Sequence, residues 1–101
     1  MANNYPINYL PSAEQDVLEI FEYILLDNPS AAANFISQLD EKVSSLSIFP
    51  ESGHLPTDPR LINLNYRILV VGNYLVFYVF KKHEVEIRRV LHGKRKYDFL
   101  F

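Results

Sequence analysis

The sequence predicts an α+β fold in the order β-α-α-β-β-β, with a helical hairpin packed on a small antiparallel sheet and a short basic C-terminal tail. Three observations predict it. Apolar residues recur at helical spacing in the first half of the chain, extended apolar segments follow in the second half, and tight turns separate those segments. The 101 residues, 49% of them hydrophobic, suffice for one core, so we expect a single domain over residues 1–101.

The N-terminal part predicts an edge strand and then an amphipathic helix. Residues 5–9 alternate as a strand does, and Pro6 removes a backbone donor, which places the strand at a sheet edge. Ser12 and Gln15 have the spacing of a helix capping box. The apolar residues at helical spacing are Ala13, Val17, Ile20 or Phe21, and Ile24. We expect the acids among them to form the solvated face: Glu14, Asp16, Glu19 and Glu22.

A second helix follows after a very short connection. Asn28 is the expected N-cap and Pro29 the expected first helical residue. The apolar stripe of this helix consists of Phe35, Leu39, Val43 and Leu46. Residues 50–53 end the helix, and the Pro-rich residues 50–60 predict a loop. The two helices therefore form an antiparallel hairpin.

The second half predicts three strands joined by tight turns. Residues 62–71 alternate as a strand, and Gly72 with Asn73 supplies a hairpin turn. Residues 74–80 are apolar on both faces, which is typical of a central strand. Residues 81–84 turn the chain again, and residues 85–91 form the last strand before Gly93.

Composition excludes several classes of function. The chain has no Cys, which removes disulfides, thiolate catalysis and thiolate zinc sites. The histidines His54, His83 and His92 lack the spacing of metal ligands, so we expect no metal and no cofactor. No run of about 18 apolar residues exists, and the N-terminus has no signal-peptide pattern. We therefore expect a cytoplasmic protein that does not enter a membrane.

Charge is distributed unevenly along the chain. Residues 1–59 carry a balance of −8, with Lys42 as their single base, whereas residues 60–101 carry +6. This polarity predicts a basic face on an acidic body, and a partner that prefers the basic face. The overall charge of −2 argues against a general nucleic-acid binder, because such proteins gain affinity mainly by neutralising phosphates.

The candidate functional residues lie around the end of the last strand. His92 directly follows that strand among several bases and has the chemistry of a general acid or base, or of a partner contact. Arg89 is in phase with the apolar residues Val85 and Ile87 of the last strand. Three interpretations are open: a β-bulge, a paired internal charge, or a site residue. Arg67 lies on the polar side of its strand. The bases of residues 94–96 form either a phosphate clamp or a solvated charge run.

Three motifs together resemble the RelE/ParE family of bacterial toxins. One is an Arg-bearing strand at Tyr66–Val71, a Gly-bearing hairpin, and a Tyr-containing apolar strand, followed by a valine-rich strand that runs into the pattern LHGxR at Leu91–Arg95. Another is the pattern A-x-x-D-V in the first helix, beginning at Ala13. The third is P-x-x-G at residues 50–53. Their order covers nearly the whole chain.

This resemblance implies the toxin of a type II toxin–antitoxin module, held inactive by a cognate antitoxin encoded next to it. RelE-like members cut mRNA on the ribosome without a metal, and ParE-like members poison DNA gyrase. Leu75 stands where the nucleases usually carry an Arg, and the string RVLHGxR at residues 89–95 is closer to the ParE-like branch. We therefore expect gyrase inhibition through the helical hairpin and the basic C-terminal segment, with a ribosome-dependent mRNA endoribonuclease, or a non-toxic antitoxin binder, as alternatives.

The resemblance also assigns candidate site residues. If the chain is a nuclease, the expected catalytic residues are Arg67, Arg89, His92, Arg95 and Tyr97. If it binds a target protein, the expected contacts are Arg88, Arg89, Lys94, Arg95 and Lys96. The expected antitoxin carries acidic and apolar residues that cover the basic face, in a hetero-oligomeric complex.

Overall fold

The structure, a computed structural model, describes residues 4–94 and confirms the predicted α+β fold and its order of elements. One helix in the loop after the hairpin was not predicted. The elements are β1 (Ile7–Tyr9), α1 (Pro11–Asp27), α2 (Pro29–Ser44), α3 (Pro59–Asn63), β2 (Tyr66–Val71), β3 (Tyr74–Lys81) and β4 (Glu84–His92), with a 3₁₀ turn at Ser45–Ser47. No helix within residues 4–94 has the length and hydropathy to cross a membrane.

The four strands form one sheet in the order β1-β4-β3-β2. The pairs β4–β3 and β3–β2 are antiparallel, but β1 runs parallel to β4, so the sheet is mixed where the sequence predicted an antiparallel one. The chain path explains the difference. The helical hairpin carries the chain from β1 to the opposite edge of the sheet, and two tight turns bring β4 back beside β1 in the same direction. The predicted edge position of the strand next to Pro6 is confirmed.

Proline positions decide where the helices begin. Helix α1 begins at Pro11 with Leu10 as its N-cap, so the predicted capping box at Ser12 is wrong. The Ser12 hydroxyl instead donates to the carbonyl oxygen of Arg88 at 3.0 Å, which ties the start of α1 to β4. Helix α2 begins as predicted, since the Asn28 side chain accepts a hydrogen bond from the backbone of Ala31 at 3.1 Å.

The strand predicted from Ile62 begins only at Tyr66. Asp58 caps α3 by accepting a hydrogen bond from the backbone N–H of Arg60 at 2.9 Å, and Pro59 is the first residue of that helix. Asn65 then takes a positive φ of 64°, which turns the chain into β2. The local capping signal therefore prevails over the alternation of residues 62–66.

The helical hairpin packs on one face of the sheet and forms the main core. All four residues of the predicted α2 stripe are buried: Phe35, Leu39, Val43 and Leu46. They pack with Val76, Tyr78 and Ile87 of the central strands. A smaller cluster, with Leu61, Tyr66, Phe77 and Leu91 among its members, occupies the other face.

The turn between β3 and β4 stores backbone strain that substitution should relieve. Lys82 and His83 have φ values of 53° and 59°, a conformation that favours Asn and Gly. We expect the double substitution K82N/H83G to raise the free energy of unfolding by about 1 kcal/mol in urea denaturation. The control K82A/H83A retains the strain and should bring no gain. An equal gain from both variants would contradict this explanation.

Candidate functional site

A β-bulge interrupts β4 shortly before the basic end of this strand, which is the run of bases at residues 94–96. Phe77 pairs with Arg89 and Tyr78 with Ile87, so Arg88 is the additional residue on β4. The bulge shifts the alternation of side chains, and Val90 therefore joins Ile87 in the core beneath the helices. This confirms the β-bulge, which was one of the three explanations for an arginine in phase with apolar residues.

Arg89 is also a paired internal charge, because it binds Asp16 of α1. Its Nε donates to Asp16 Oδ2 at 2.7 Å and its Nη2 donates to Oδ1 at 2.9 Å. Asp16 Oδ2 also accepts the backbone N–H of Val90 at 3.0 Å. The hydrogen bond to Asp16 raises the pKa of the Arg89 guanidinium. The carboxylate thus joins α1 to the strand immediately after the bulge.

Asp16 is only 7% exposed, so its expected place on the solvated face of α1 is wrong. The sequence held a signal for this position. Asp16 lies three residues after Ala13 and four before Ile20, which places it on the core-facing side of the helix. A buried carboxylate needs a partner, and the in-phase Arg89 was the complementary residue.

The Arg88 side chain, at the bulge, lies beside Tyr66 on the face of the sheet that points away from α1 and α2. Its Nη2 donates to Glu86 Oε1 at 2.8 Å, and its guanidinium carbon lies 5.7 Å from the centre of the Tyr66 ring. The hydrogen bond from Arg88 lowers the pKa of the Glu86 carboxyl. Two neighbouring arginines therefore each have a carboxylate partner on this chain.

Arg67 and Tyr78 hold the turn that follows the helical hairpin. Arg67 Nη1 donates to the carbonyl oxygens of Glu51 and Gly53 at 3.0 and 3.1 Å. The Tyr78 hydroxyl accepts the N–H of Gly53 at 2.9 Å and donates to the carbonyl of Pro50 at 2.8 Å. Burial raises the pKa of this fully buried phenol. The P-x-x-G turn is therefore fixed by two side chains from adjacent strands.

The exposed end of β4 carries His92 and Lys94. The His92 Nδ1 accepts the backbone N–H of Lys94 at 3.1 Å, and the ring meets Tyr74 edge-on at a centroid distance of 5.4 Å. His92 lines a depression that also includes Glu19 and Tyr23 of α1. The candidate residues Arg95, Lys96 and Tyr97 lie outside the described residues.

The residues expected for a nuclease do not all converge. Val71 of β2 lies level with Tyr74 of β3 and with His92 of β4. Arg67 is four residues before Val71 on β2, and β2 is separated from β4 by β3. By strand geometry their Cα atoms are about 16 Å apart. Arg89 and His92 share the end of β4, but Arg67 faces the turn after α2. Within residues 4–94, no group of three or more His, Asp or Glu side chains is placed to hold a metal ion.

The family model for the ParE toxin of the type II toxin–antitoxin system parDE matches residues 7–97. The chain belongs to the ParE toxin family. It is therefore the toxin of a type II toxin–antitoxin system, and such a system pairs it with a cognate antitoxin.

A solved structure described as the chromosomal ParDE TA system from P. aeruginosa has the same fold. It superposes with a TM-score of 0.74 at 16% sequence identity, over 92% of this chain and 100% of that chain. No curated protein matches the sequence.

In this ParE toxin, the three sequence motifs that resembled the family meet as contacts. Asp16 of the A-x-x-D-V pattern binds Arg89, three residues before His92 of the LHGxR pattern. Gly53 of P-x-x-G bonds with Tyr78 of the apolar strand. These motifs therefore supply side-chain contacts that join the hairpin, the turn and the sheet.

Proposed function

We propose that this ParE toxin arrests growth by inhibiting DNA gyrase through the basic end that follows β4. The proposal is supported by the family match, which covers residues 7–97 and therefore includes the bases at residues 94–96. ParE-like members of the RelE/ParE family poison gyrase. The toxin is neutralised in the cytoplasm by its antitoxin, in a hetero-oligomeric complex.

The hydrogen bonds made by Arg67 and Arg89 support gyrase inhibition over RNA cleavage. A metal-free nuclease needs cationic side chains directed at one phosphate to stabilise its developing charge. Here Arg67 is bonded to backbone carbonyls of the turn after α2, and Arg89 is bonded to Asp16. The two guanidinium groups therefore serve separate structural contacts.

The same contacts divide the expected target-binding residues into two groups. Arg88 and Arg89 have carboxylate partners, so we assign them to positioning the end of β4. Lys94 is exposed and begins the run of bases that the sequence continues with Arg95 and Lys96. We assign target contact to this run.

A gyrase supercoiling assay with the purified chain tests the proposal. We expect inhibition and an increase in cleaved DNA, and at least about tenfold weaker inhibition by K94A/R95A/K96A, since three cationic contacts are lost. The control K82A removes a base in the β3–β4 turn and should retain full inhibition.

In growing cells, thymidine incorporation should stop before methionine incorporation. Unimpaired gyrase together with cleavage of ribosome-bound mRNA would establish the nuclease alternative instead. The absence of any growth defect would establish a chain that only binds its antitoxin.

A further inference from the structure

A depression between α1 and the end of β4 has no part in the contacts assigned above to the target. It encloses about 330 Å³, which is near the lower limit of small-molecule sites, about 300–1,000 Å³. Its apolar lining consists of Ile20, Val90 and Leu91, of which Val90 and Leu91 are buried. The depression therefore has the size of a site for a small ligand.

Three aromatic side chains surround this apolar lining. Tyr74 and His92 are register partners on β3 and β4, and their rings meet almost at right angles, at 82° with centroids 5.4 Å apart. The buried Phe35 packs against Tyr74 at a centroid distance of 5.0 Å and so holds its ring in place. Tyr23 of α1 supplies the third ring and is 75% exposed. Aromatic rings around one depression are the arrangement that recognises organic cations.

The two rings contributed by the sheet are neutral. His92 Nδ1 accepts the backbone N–H of Lys94 at 3.1 Å, so this nitrogen carries no proton. Burial, and after it the neighbouring Tyr23, raises the pKa of the Tyr74 hydroxyl. A neutral imidazole and a neutral phenol attract a cation to the electron-rich faces of their rings, whereas a protonated imidazole would repel it.

The carboxylates at the depression outnumber the base that they face. Asp16 and Glu19 both line it, and its described lining includes no basic side chain. Asp16 binds Arg89, and the charge of Glu19 also raises the pKa of that guanidinium. Two carboxylates thus face one guanidinium, which leaves the local charge negative. Glu19 lies one helical turn before Tyr23, so the carboxylate and the exposed ring project from the same side of α1.

We propose that this depression binds a small organic cation with a quaternary ammonium head. The methyl groups of such a head contact the apolar lining and the ring faces, and Glu19 supplies the opposite charge. A quaternary ammonium has no N–H group, so it gives up no hydrogen bonds to water when it enters a site made of rings. The proposal assigns a ligand contact to His92 and does not depend on gyrase as the target.

Two other classes of ligand fit these side chains less well. An anion would meet the Glu19 carboxylate and the negative faces of the rings. A metal ion needs several ligands at one point, and no three His, Asp or Glu side chains of residues 4–94 are placed to hold one. An organic cation is the ligand that both the rings and the charge attract.

The test titrates the full chain, with isotope-labelled methyl groups, with three small compounds. These are choline, its neutral carbon analogue in which a tert-butyl group replaces the trimethylammonium, and ethanolamine, its unmethylated primary ammonium. We expect choline to shift the methyl signals of Ile20 and Val90 saturably and to bind at least about fivefold more tightly than either analogue. The neutral analogue lacks the attraction of a cation to the rings, and ethanolamine must give up hydration.

Matched variants separate the site from general stickiness. Y23L keeps an apolar side chain but removes a ring, and E19Q keeps the size of its side chain but removes the charge. Each should weaken choline binding about threefold and leave the neutral analogue unchanged. E22Q, on the same helix outside the depression, should change neither.

Four results would overturn the proposal: choline binding no tighter than its neutral analogue, ethanolamine binding as tight as choline, no saturable shift of the Ile20 and Val90 methyl signals, or full choline affinity in both Y23L and E19Q. Gyrase inhibition is measured separately, so failure here leaves the proposed function standing.

Discussion

Gly53→Ala is expected to lower the free energy of unfolding by about 2–4 kcal/mol. A Cβ at this position would lie 2.5 Å from the Tyr78 hydroxyl oxygen, 2.7 Å from Tyr78 Cε1 and 3.0 Å from the carbonyl oxygen of Ile68. Tyr78 is fully buried in the core, so its ring has no space to retreat. The alanine therefore breaks the hydrogen bond that the hydroxyl accepts from the Gly53 N–H. Urea denaturation followed by circular dichroism measures the loss.

Two variants test whether the clash with Tyr78 is the cause. Gly93→Ala places its Cβ 3.3 Å from the carbonyl oxygen of Asn73, which is a tight contact but a longer one than those at Gly53, and it should cost less than Gly53→Ala. Tyr78→Phe removes the hydroxyl and both of its bonds, so G53A/Y78F should cost less than the sum of its single substitutions. Strict additivity in this pair would show that the contact does not govern the turn.

The elements that the sequence predicted well are those whose pattern is local and regular. The α2 stripe from Phe35 to Leu46 repeats with the helical period, and the Asn28–Pro29 cap lies next to it in the chain. The turn at Gly72 was equally readable, since its φ of 58° is one that glycine adopts readily. In each case the residues that determine the structure are neighbours.

The features that the sequence did not predict depend on distant residues or on competing local signals. The parallel pairing of β1 with β4 joins Ile7 to Val85, and nothing in either strand specifies its direction. Helix α3 arises because Asp58 and Pro59 cap a segment that otherwise alternates like a strand. The sequence offered a bulge and a paired internal charge as explanations for Arg89, but only the fold identifies its partner Asp16 and the carbonyl partners of Arg67.

Asp16→Ala is expected to lower the free energy of unfolding by about 2–4 kcal/mol. It removes the carboxylate that binds the Arg89 guanidinium, whose side chain is 22% exposed, and it leaves the Val90 N–H without its acceptor in the interior. The solvated acid Glu22, on the same helix, supplies the control, and Glu22→Ala should change stability by less than about 0.5 kcal/mol.

A double-mutant cycle isolates the ion pair from general disruption of α1. Because Asp16 and Arg89 share two hydrogen bonds, D16A/R89A should be less destabilised than the sum of D16A and R89A by at least about 1 kcal/mol. A coupling near zero would mean that the carboxylate acts only through the Val90 N–H.

The cycle has a functional counterpart, because the Asp16 bond to Val90 lies two residues before His92 and fixes the strand that leads into the basic end. In D16N one carboxylate oxygen becomes an amide donor, so the variant loses an acceptor for Arg89 or Val90. We expect D16N, tested at a temperature where circular dichroism shows it folded, to arrest growth less than E22A does. Full growth arrest by folded D16N would mean that the ion pair contributes to stability but not to toxicity. Loss of growth arrest in a folded chain would support a role for the bulge and its carboxylate in orienting the basic residues that we propose contact the target.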